Sequence, residues 1–405
     1  YEHWRAEQEN LSIFHGVNQA RGGIFSAVVE SNLPYMGLPH WDSALDSYRL
    51  AVEAQESPPI SFFAAVPGIL LYDKTIQGKA TFQDYILAAV QIARIQQEGK
   101  FHRDKLDLED IVDVRKSDQE NTKYFMNRFS DIFLSQLLNY GKGINIPEKT
   151  QEEMFIDWEY LVAKNLVKAY RNGHTGFYYD GSPKHFMLGS GNGDITCFDF
   201  EYKVITPSLL GLANLISFGL KKEGKPYLSQ EEQSKILDRF LLELEFVEAL
   251  KTGAKERAGR IVKYFMERSD SYDLSGVESE QFYRFLKGAD DVEIGKRYRE
   301  SFLSGWAHAL LDRSAAWLGH NARYRAITEL LGDIKGIKFP LEDPISQYAS
   351  EQTQHLTLML NVLRQLKEIT PKNGNRGSRE AAAALRLYNR FSELQDHPYF
   401  NPIRS

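Results

Sequence analysis

Two aspartates, Asp180 and Asp199, stand in a short segment whose pattern indicates that the fold brings them together. Asp180 ends the aromatic run Gly176–Asp180, which predicts a strand. Asp199 follows Ile195–Phe198, the second of two apolar runs that are joined by a glycine-rich turn. This pattern predicts a hairpin, because residues that accept positive φ stand between β formers. We therefore expect the two carboxylates to adjoin, although they are 19 residues apart in the sequence.

Phosphoryl transfer is a reaction that needs such a pair. One carboxylate orients the attacking hydroxyl or accepts its proton, and the other holds magnesium on the nucleotide phosphates. Aromatic strands beside them would exclude part of the water and so strengthen the electrostatics of the site. The sequence contains no His-Glu-x-x-His, no Gly-x-Ser-x-Gly and no P-loop, which argues against those chemistries.

The elements that must position this segment are mostly helical. Apolar residues recur at helical spacing from Phe82 to Ala93 and from Met154 to Ala169, and the second helix is predicted to end at Asn172-Gly173. Residues 228–395 read almost entirely as helix.

Besides Gly176–Asp180 and Ile195–Phe198, strands are predicted in two further places. Ser61–Tyr72 suggests one or two strands broken at Pro67-Gly68, and His185–Leu188 is the first strand of the hairpin. A small mixed start, helices, a hairpin and more helices together predict an α+β protein dominated by helix.

The tetrapeptide Asp199-Phe-Glu-Tyr202 after this hairpin resembles the kinase-like phosphotransferases. It looks most like the choline/ethanolamine kinase and aminoglycoside phosphotransferase branch, which often has Asp-Phe-Glu where protein kinases have Asp-Phe-Gly. That branch continues into a helix with a motif like Asp-(Leu/Ile)-Ala-Asn, and Gly211-Leu-Ala-Asn214 stands at the comparable place here. Ser229 and Glu232 look like the N-cap and capping box of the next helix. The clear motif covers about thirty residues.

The resemblance implies a protein-kinase-like fold with two lobes. Residues 1–73 would form a partial small lobe with a single helix at 2–14, and residues 74–405 a large, mostly helical lobe that contains the hairpin. Residues 250–405 would be a helical extension of this lobe or a separate region that binds a partner.

The resemblance also implies ATP and magnesium as cofactors and a small molecule with a hydroxyl group as substrate. Asp180 would be the base or orienting carboxylate, and Asp199 the metal ligand. Glu7 on the first helix, Tyr72 at a hinge and His185 would contact the nucleotide, with His185 also in the place of a metal ligand.

The sequence departs from the family at several of these positions. His185 stands where the family has a metal-binding Asn, Tyr178 where it has His, and Gly211 where it has Asp. No glycine-rich phosphate loop and no strand lysine precede the helix at 2–14, so these parts either lie upstream of Tyr1 or are missing. Since Tyr1 is not Met, a processed or trimmed chain is expected. The alternative function is a pseudokinase that acts as a binding or scaffolding module.

Composition limits the remaining possibilities. A net charge of −6 and a pI near 6.0 give no electrostatic reason to expect a nucleic acid or an anionic membrane as partner. The single cysteine, Cys197, excludes a disulfide within the chain and a cysteine-rich zinc site, and it favours a reducing, cytoplasmic location. No apolar run is long enough to span a bilayer. The oligomeric state stays open.

Overall fold

A computed structural model describes residues 68–113, 115–140, 143–189, 195–197, 202–217, 226–266, 299–314, 342–369 and 375–397. Within these ranges the chain is predominantly helical and carries two sheets of three strands each. This confirms the predicted α+β class.

The strands are short and the helices are of very unequal length. The strands lie at Ile69–Leu70 (β1), Glu109–Asp110 (β2), Thr175–Phe177 (β3), Phe186–Leu188 (β4), Ile195–Cys197 (β5) and Val204–Pro207 (β6). The helices lie at Leu71–Ile76 (α1), Phe82–Phe101 (α2), Arg103–Leu106 (α3), Asp118–Asn127 (α4), Ser135–Tyr140 (α5), Glu148–Trp158 (α6), Lys164–Arg171 (α7), Leu209–Ile216 (α8), Gln230–Lys251 (α9), Lys255–Met266 (α10), 299–314 (α11), Glu342–Ile369 (α12) and Asn375–Asp396 (α13). The π-helical segments Arg128–Leu134 and Glu159–Ala163 join α4 to α5 and α6 to α7, and Pro183–His185 forms a 3₁₀ turn.

Two compact units divide the described residues. The first contains 68–110, 235–266 and the described part of 175–211, and it holds both sheets. The second contains the described parts of 111–174, 212–234 and 299–397 and is built of helices. The lobe boundary between residues 73 and 74 stays a prediction. In the described part of the chain, every helix is too short or too polar to cross a membrane.

The first sheet contains the predicted hairpin. Its strand order is β1-β4-β5, and both neighbouring pairs are antiparallel. In the hairpin, Phe186 pairs with Cys197 and Leu188 with Ile195. This confirms the prediction that the two apolar runs form antiparallel strands, although the first strand begins at Phe186 rather than His185.

The second sheet ties the segment before Asp180 to the segment after Asp199. Its central strand is β6, which pairs antiparallel with β3 and parallel with β2. Phe177 lies opposite Ile205, and the Tyr178 N–H donates to the Val204 carbonyl at 2.9 Å, which extends the ladder by one residue.

Helix α2 is the core helix of the first unit. Its start is fixed by a capping box, in which the Thr81 hydroxyl accepts from the Asp84 N–H and the Asp84 carboxylate accepts from the Thr81 N–H. Lys74 on α1 also donates to this carboxylate, at 2.8 Å. Buried residues occupy all faces of the middle of α2, which is typical of a helix that is covered on every side.

Buried ion pairs join α2 to α9. Glu243 accepts from Arg94 at 2.7 Å and pairs with Arg239 at 2.9 Å, and Glu98 accepts from Lys251 at 2.5 Å. Both glutamates are only 2% exposed. Removing one partner of such a pair leaves an uncompensated buried charge, so these contacts constrain how α2 lies against α9.

Gly99 allows α2 to lie directly on β3. A Cβ atom at this position would lie 2.2 Å from the Cβ and 2.5 Å from the Cγ of Phe177. The Phe177 side chain is completely buried, so it has no open space into which to move.

Replacing Gly99 tests this contact. Alanine usually stabilises a helix relative to glycine by up to about 1 kcal/mol, but here we expect Gly99→Ala to lower the free energy of unfolding by about 1–3 kcal/mol through overpacking. Gly259→Ala in α10 is the matched control and should stabilise, because nothing lies within 4 Å of its added Cβ. Urea unfolding measures both. A stabilised Gly99→Ala variant would contradict the packing of α2 on β3.

The second unit has an aromatic core. The ring of Phe129 stacks on Trp158 with centroids 5.1 Å apart, and Phe133 lies 6.1 Å from Phe129 and 5.7 Å from Phe391. Phe129 and Phe133 belong to the first π-helical segment, and Trp158 directly precedes the second. Both π segments therefore adjoin the same core.

His308 on α11 is a buried titratable group in this unit. It is 5% exposed, and its ring meets the ring of Phe125 edge to face at 5.4 Å. Burial lowers the pKa of His308 from 6.5 to about 4, against the opposing effect of Asp312, which raises it.

The protonation of His308 predicts a pH dependence. Between pH 6.5 and about 4 the unfolded chain binds a proton at His308 that the folded chain does not, so stability falls as pH falls through this range. The total loss is about 3 kcal/mol. Urea unfolding between pH 7 and 4 should show that His308→Leu loses this part of the pH dependence. If the free energy of unfolding fell equally with pH in the wild type and in His308→Leu, the pKa assigned to His308 would be contradicted.

Two strand predictions near the site were too long. The strand before α1 ends at Leu70, and Leu71–Ile76 is helical, so Tyr72 lies on a helix and not at the end of a strand. Leu71 and Thr75 are both buried at helical spacing, which an interpretation based on aromatic content missed. The predicted strand at Gly176–Asp180 ends at Phe177 because the chain then turns. The predicted helix at 2–14 lies outside the described residues.

Candidate functional site

Asp180 lies in a loop that its own side chains hold in place. Its side chain is 18% exposed, and its Oδ1 accepts a hydrogen bond from the Ser182 N–H at 3.1 Å. Aspartate typically forms such a turn, in which its side chain accepts a hydrogen bond from the backbone N–H two residues later. The buried Ser182 hydroxyl in turn accepts from the Lys184 N–H at 3.3 Å. The loop is therefore fixed before any ligand binds.

His185 closes the same loop at its other end. Its Nδ1 lies 2.8 Å from the carbonyl oxygen of Asp180 and 3.9 Å from the Oδ2 of that residue. A carbonyl oxygen only accepts, so Nδ1 is the donor and carries the proton. In the neutral ring, the lone pair is then on Nε2.

Tyr179 contacts both the loop and the first strand of the hairpin. It is completely buried, and its hydroxyl donates to the His185 carbonyl at 3.2 Å. Its ring meets Phe186 on β4 edge to face at 5.8 Å. A large buried aromatic with a satisfied hydroxyl is well suited to this role, since it fills space and fixes one hydrogen bond.

Lys184 brings a positive charge to this loop. Its Nζ lies 4.6 Å from the centroid of the Tyr72 ring on α1, which is cation–π geometry. The structure thus brings together three of the predicted site residues, Tyr72, Asp180 and His185.

The backbone of the loop lies directly against α8. A Cβ at Gly181 would lie 2.2 Å from the carbonyl oxygen of Gly211, and a Cβ at Gly211 would lie 2.8 Å from the carbonyl oxygen of Tyr179 and 2.5 Å from the Nε2 of Gln96. Two glycines are needed at this approach. A larger residue at position 211 would meet the Tyr179 carbonyl and the Gln96 side chain.

Asp199 and Glu7 lie outside the described residues, and the described residues nearest to Asp199 along the chain are Cys197 and Tyr202. Cys197, two residues before it, pairs with Phe186 at the open end of the hairpin. Tyr202, three residues after it, has its ring 4.7 Å from that of Tyr178 in an edge-to-face contact.

The predicted metal ligands fit magnesium unequally. Nδ1 of His185 is engaged by the Asp180 carbonyl, which leaves Nε2 as the only nitrogen that could ligate, and imidazole suits a hard cation poorly. A carboxylate such as that of Asp180 suits it well. Within the described ranges, no group of three or more His, Cys, Asp or Glu side chains is placed to hold a metal ion.

Sequence reasoning missed three residues of this site. Lys184 could have been found from its place beside His185, and Ser182 from the turn-forming run Asp-Gly-Ser-Pro. Gln96 gave no local signal. It reaches the site from α2, where its Nε2 donates to the Ser208 carbonyl at 2.9 Å.

Comparison with known proteins found no protein-family model, no curated protein and no solved structure that matches this chain.

Cys197 provides a chemical test of the hairpin. Burial raises the pKa of its thiol, against the effect of a hydrogen bond with Tyr179 that lowers it, so the thiolate that reacts with alkylating reagents is scarce. We expect the folded protein to resist iodoacetamide at pH 8 and the unfolded protein to take up one label per chain, by mass spectrometry. Native labelling at the rate of a free thiol would contradict the burial of β5.

Proposed function

We propose that this chain is an ATP- and magnesium-dependent phosphotransferase acting on a hydroxyl of a small molecule. Asp180 is the base or orienting carboxylate, and Asp199 is the metal ligand. The observation that carries the proposal is the antiparallel pairing of β3 with β6 around the β4–β5 hairpin.

The strand pairing supports the meeting of the two aspartates by chain connectivity. Since β3 and β6 are antiparallel, β3 delivers Asp180 at the same end of the sheet at which the chain coming from Asp199 enters β6. The hairpin adds a second restraint, because Cys197 is paired and the two-residue link to Asp199 spans at most about 7 Å.

The environment of Asp180 suits an orienting role. Its Oδ1 is held by the Ser182 N–H, and its carbonyl is held by His185, so the carboxylate is positioned without a ligand. Reaction rates gain from such preorganisation, because a group already in place needs no reorganisation in the transition state. Its partial exposure keeps it accessible to a hydroxyl group.

Lys184 and Tyr72 support a place for the nucleotide beside this loop. A lysine can neutralise phosphate charge, and an aromatic ring offers a face for a base. Bound magnesium would supply charge neutralisation on the phosphates. Glu7 keeps its predicted role on the nucleotide, and the proposed location is cytoplasmic.

A pseudokinase that acts as a binding or scaffolding module is the second candidate. The specific observation that favours it is the engagement of His185 Nδ1 by the Asp180 carbonyl, since the side chain in the place of a metal ligand is used to close the loop. Such a protein would keep the architecture of the site without the full set of magnesium ligands.

Nucleotide binding tests the first proposal. Magnesium–ATP should raise the Tm of the wild-type protein, because a ligand that binds only the folded state stabilises it, by about 2.7 kcal/mol at 100 times Kd. Asp199→Asn should lose this shift. Asp104→Asn, at an exposed position on α3, is the control and should keep it. A wild-type protein that magnesium–ATP does not stabilise at millimolar concentration contradicts the phosphotransferase.

Release of phosphate from ATP separates the two candidates. The phosphotransferase should hydrolyse ATP slowly without its acceptor, and Asp180→Asn should abolish this release while the thermal shift remains. Binding without any phosphate release in the wild type would instead support the pseudokinase.

A further inference from the structure

The second unit carries a groove that the site described above does not use. It has a volume of about 460 Å³ and is open to solvent. Its lining residues come from α6 and from the first π-helical segment: Ser130, Leu134, Glu148, Gln151, Glu152, Phe155 and Ile156. We call this surface the α6 groove.

One face of α6 forms a wall along the whole α6 groove. Glu148, Glu152 and Ile156 follow one another at intervals of four residues, so they lie in a row along the helix. The acidic residues lie toward the start of α6 and the apolar ones toward its end. Ile156 is 54% exposed, which leaves a large apolar side chain in water.

The opposite wall is irregular in a way that is common at functional sites. Ser130 and Leu134 lie within the π-helical segment Arg128–Leu134, and π turns inside α-helices occur frequently at such sites. The extra residue in each turn displaces this wall from regular α-helical packing.

The charges on α6 differ between its two sides. Away from the groove, Asp157 accepts from Arg386 at 2.5 Å, and Glu153 lies 3.9 Å from Arg390. In the groove, neither Glu148 nor Glu152 has an ion-pair partner among the described residues. Asp157 and Glu153 therefore face arginines of the same unit, whereas Glu148 and Glu152 give the groove a negative charge.

We propose that the α6 groove docks a basic amphipathic peptide segment of a partner protein. Lysine or arginine side chains of the segment pair with Glu148 and Glu152, and an apolar side chain covers Ile156 and Phe155. Helix geometry sets the spacing, because eight residues of α6 between Glu148 and Ile156 correspond to about 12 Å. A helical segment with one basic residue about one turn and another about two turns from an apolar anchor fits this spacing.

A labelled peptide tests the proposal. The probe is a fluorescein-labelled helical peptide of about 14 residues, which is enough for four turns. It carries lysines at two positions one turn apart and leucines one turn beyond the second lysine. Its binding to the full chain is followed by fluorescence anisotropy. A scrambled peptide of equal composition controls for net charge. We expect saturable binding of the patterned peptide. The scrambled peptide should bind at least about ten-fold more weakly, which corresponds to the loss of one good contact.

Variants locate the binding on the protein. Glu148→Gln with Glu152→Gln, and separately Ile156→Ser, should each weaken binding about ten-fold or more. The matched control is Asp104→Asn with Glu256→Gln, which removes two exposed helical acids that likewise have no ion-pair partner in the described part of the chain. All of these positions are at the surface, and circular dichroism checks their folding.

Three outcomes would overturn the proposal. Absence of saturable binding overturns it directly. Equal weakening in the control pair shows diffuse attraction to an acidic protein and not a site. If sedimentation shows that the wild type forms a dimer which Ile156→Ser dissociates, the groove is covered by a second copy of the chain instead of a basic peptide.

Discussion

The pairing of β3 with β6 is the constraint on which the site depends. It joins two segments that are far apart in the sequence and places the strand that leads to Asp180 beside the strand that follows Asp199. Helix α2 holds this sheet from one side through the close approach of Gly99 to Phe177. Buried ion pairs from α2 to α9 then fix the helix itself, so the position of a surface loop is determined by contacts in the core.

The Asp180 loop, which follows β3 of this sheet, is held by hydrogen bonds within the loop itself. Two backbone N–H groups and one imidazole satisfy its turns, and glycines at 181 and 211 let it lie against α8. The same imidazole is the residue on which the two functional candidates differ. His185 completes the loop as a hydrogen-bond donor, whereas a side-chain oxygen at that position would suit a hard cation better.

The sequence predicted the elements that depend on local signals. The α2 periodicity, the helix stop at Asn172-Gly173, the capping box of Ser229 with Glu232 and the hairpin are all confirmed, because each is encoded within a few residues. What the sequence did not reveal is non-local. The contact of Lys184 with the ring of Tyr72 and the reach of Gln96 to the Ser208 carbonyl depend on residues that meet only in the folded chain. No periodic pattern reports such meetings.

The claim at the centre of this account is that the two aspartates adjoin, and a chemical cross-link tests it most directly. Asp180→Cys and Asp199→Cys, combined in a Cys197→Ala background, offer two thiols to dibromobimane, which fluoresces strongly once both of its arms have reacted. The account predicts a fluorescent intramolecular cross-link in the double variant and none in either single variant. Two separately alkylated thiols in a folded double variant would contradict it.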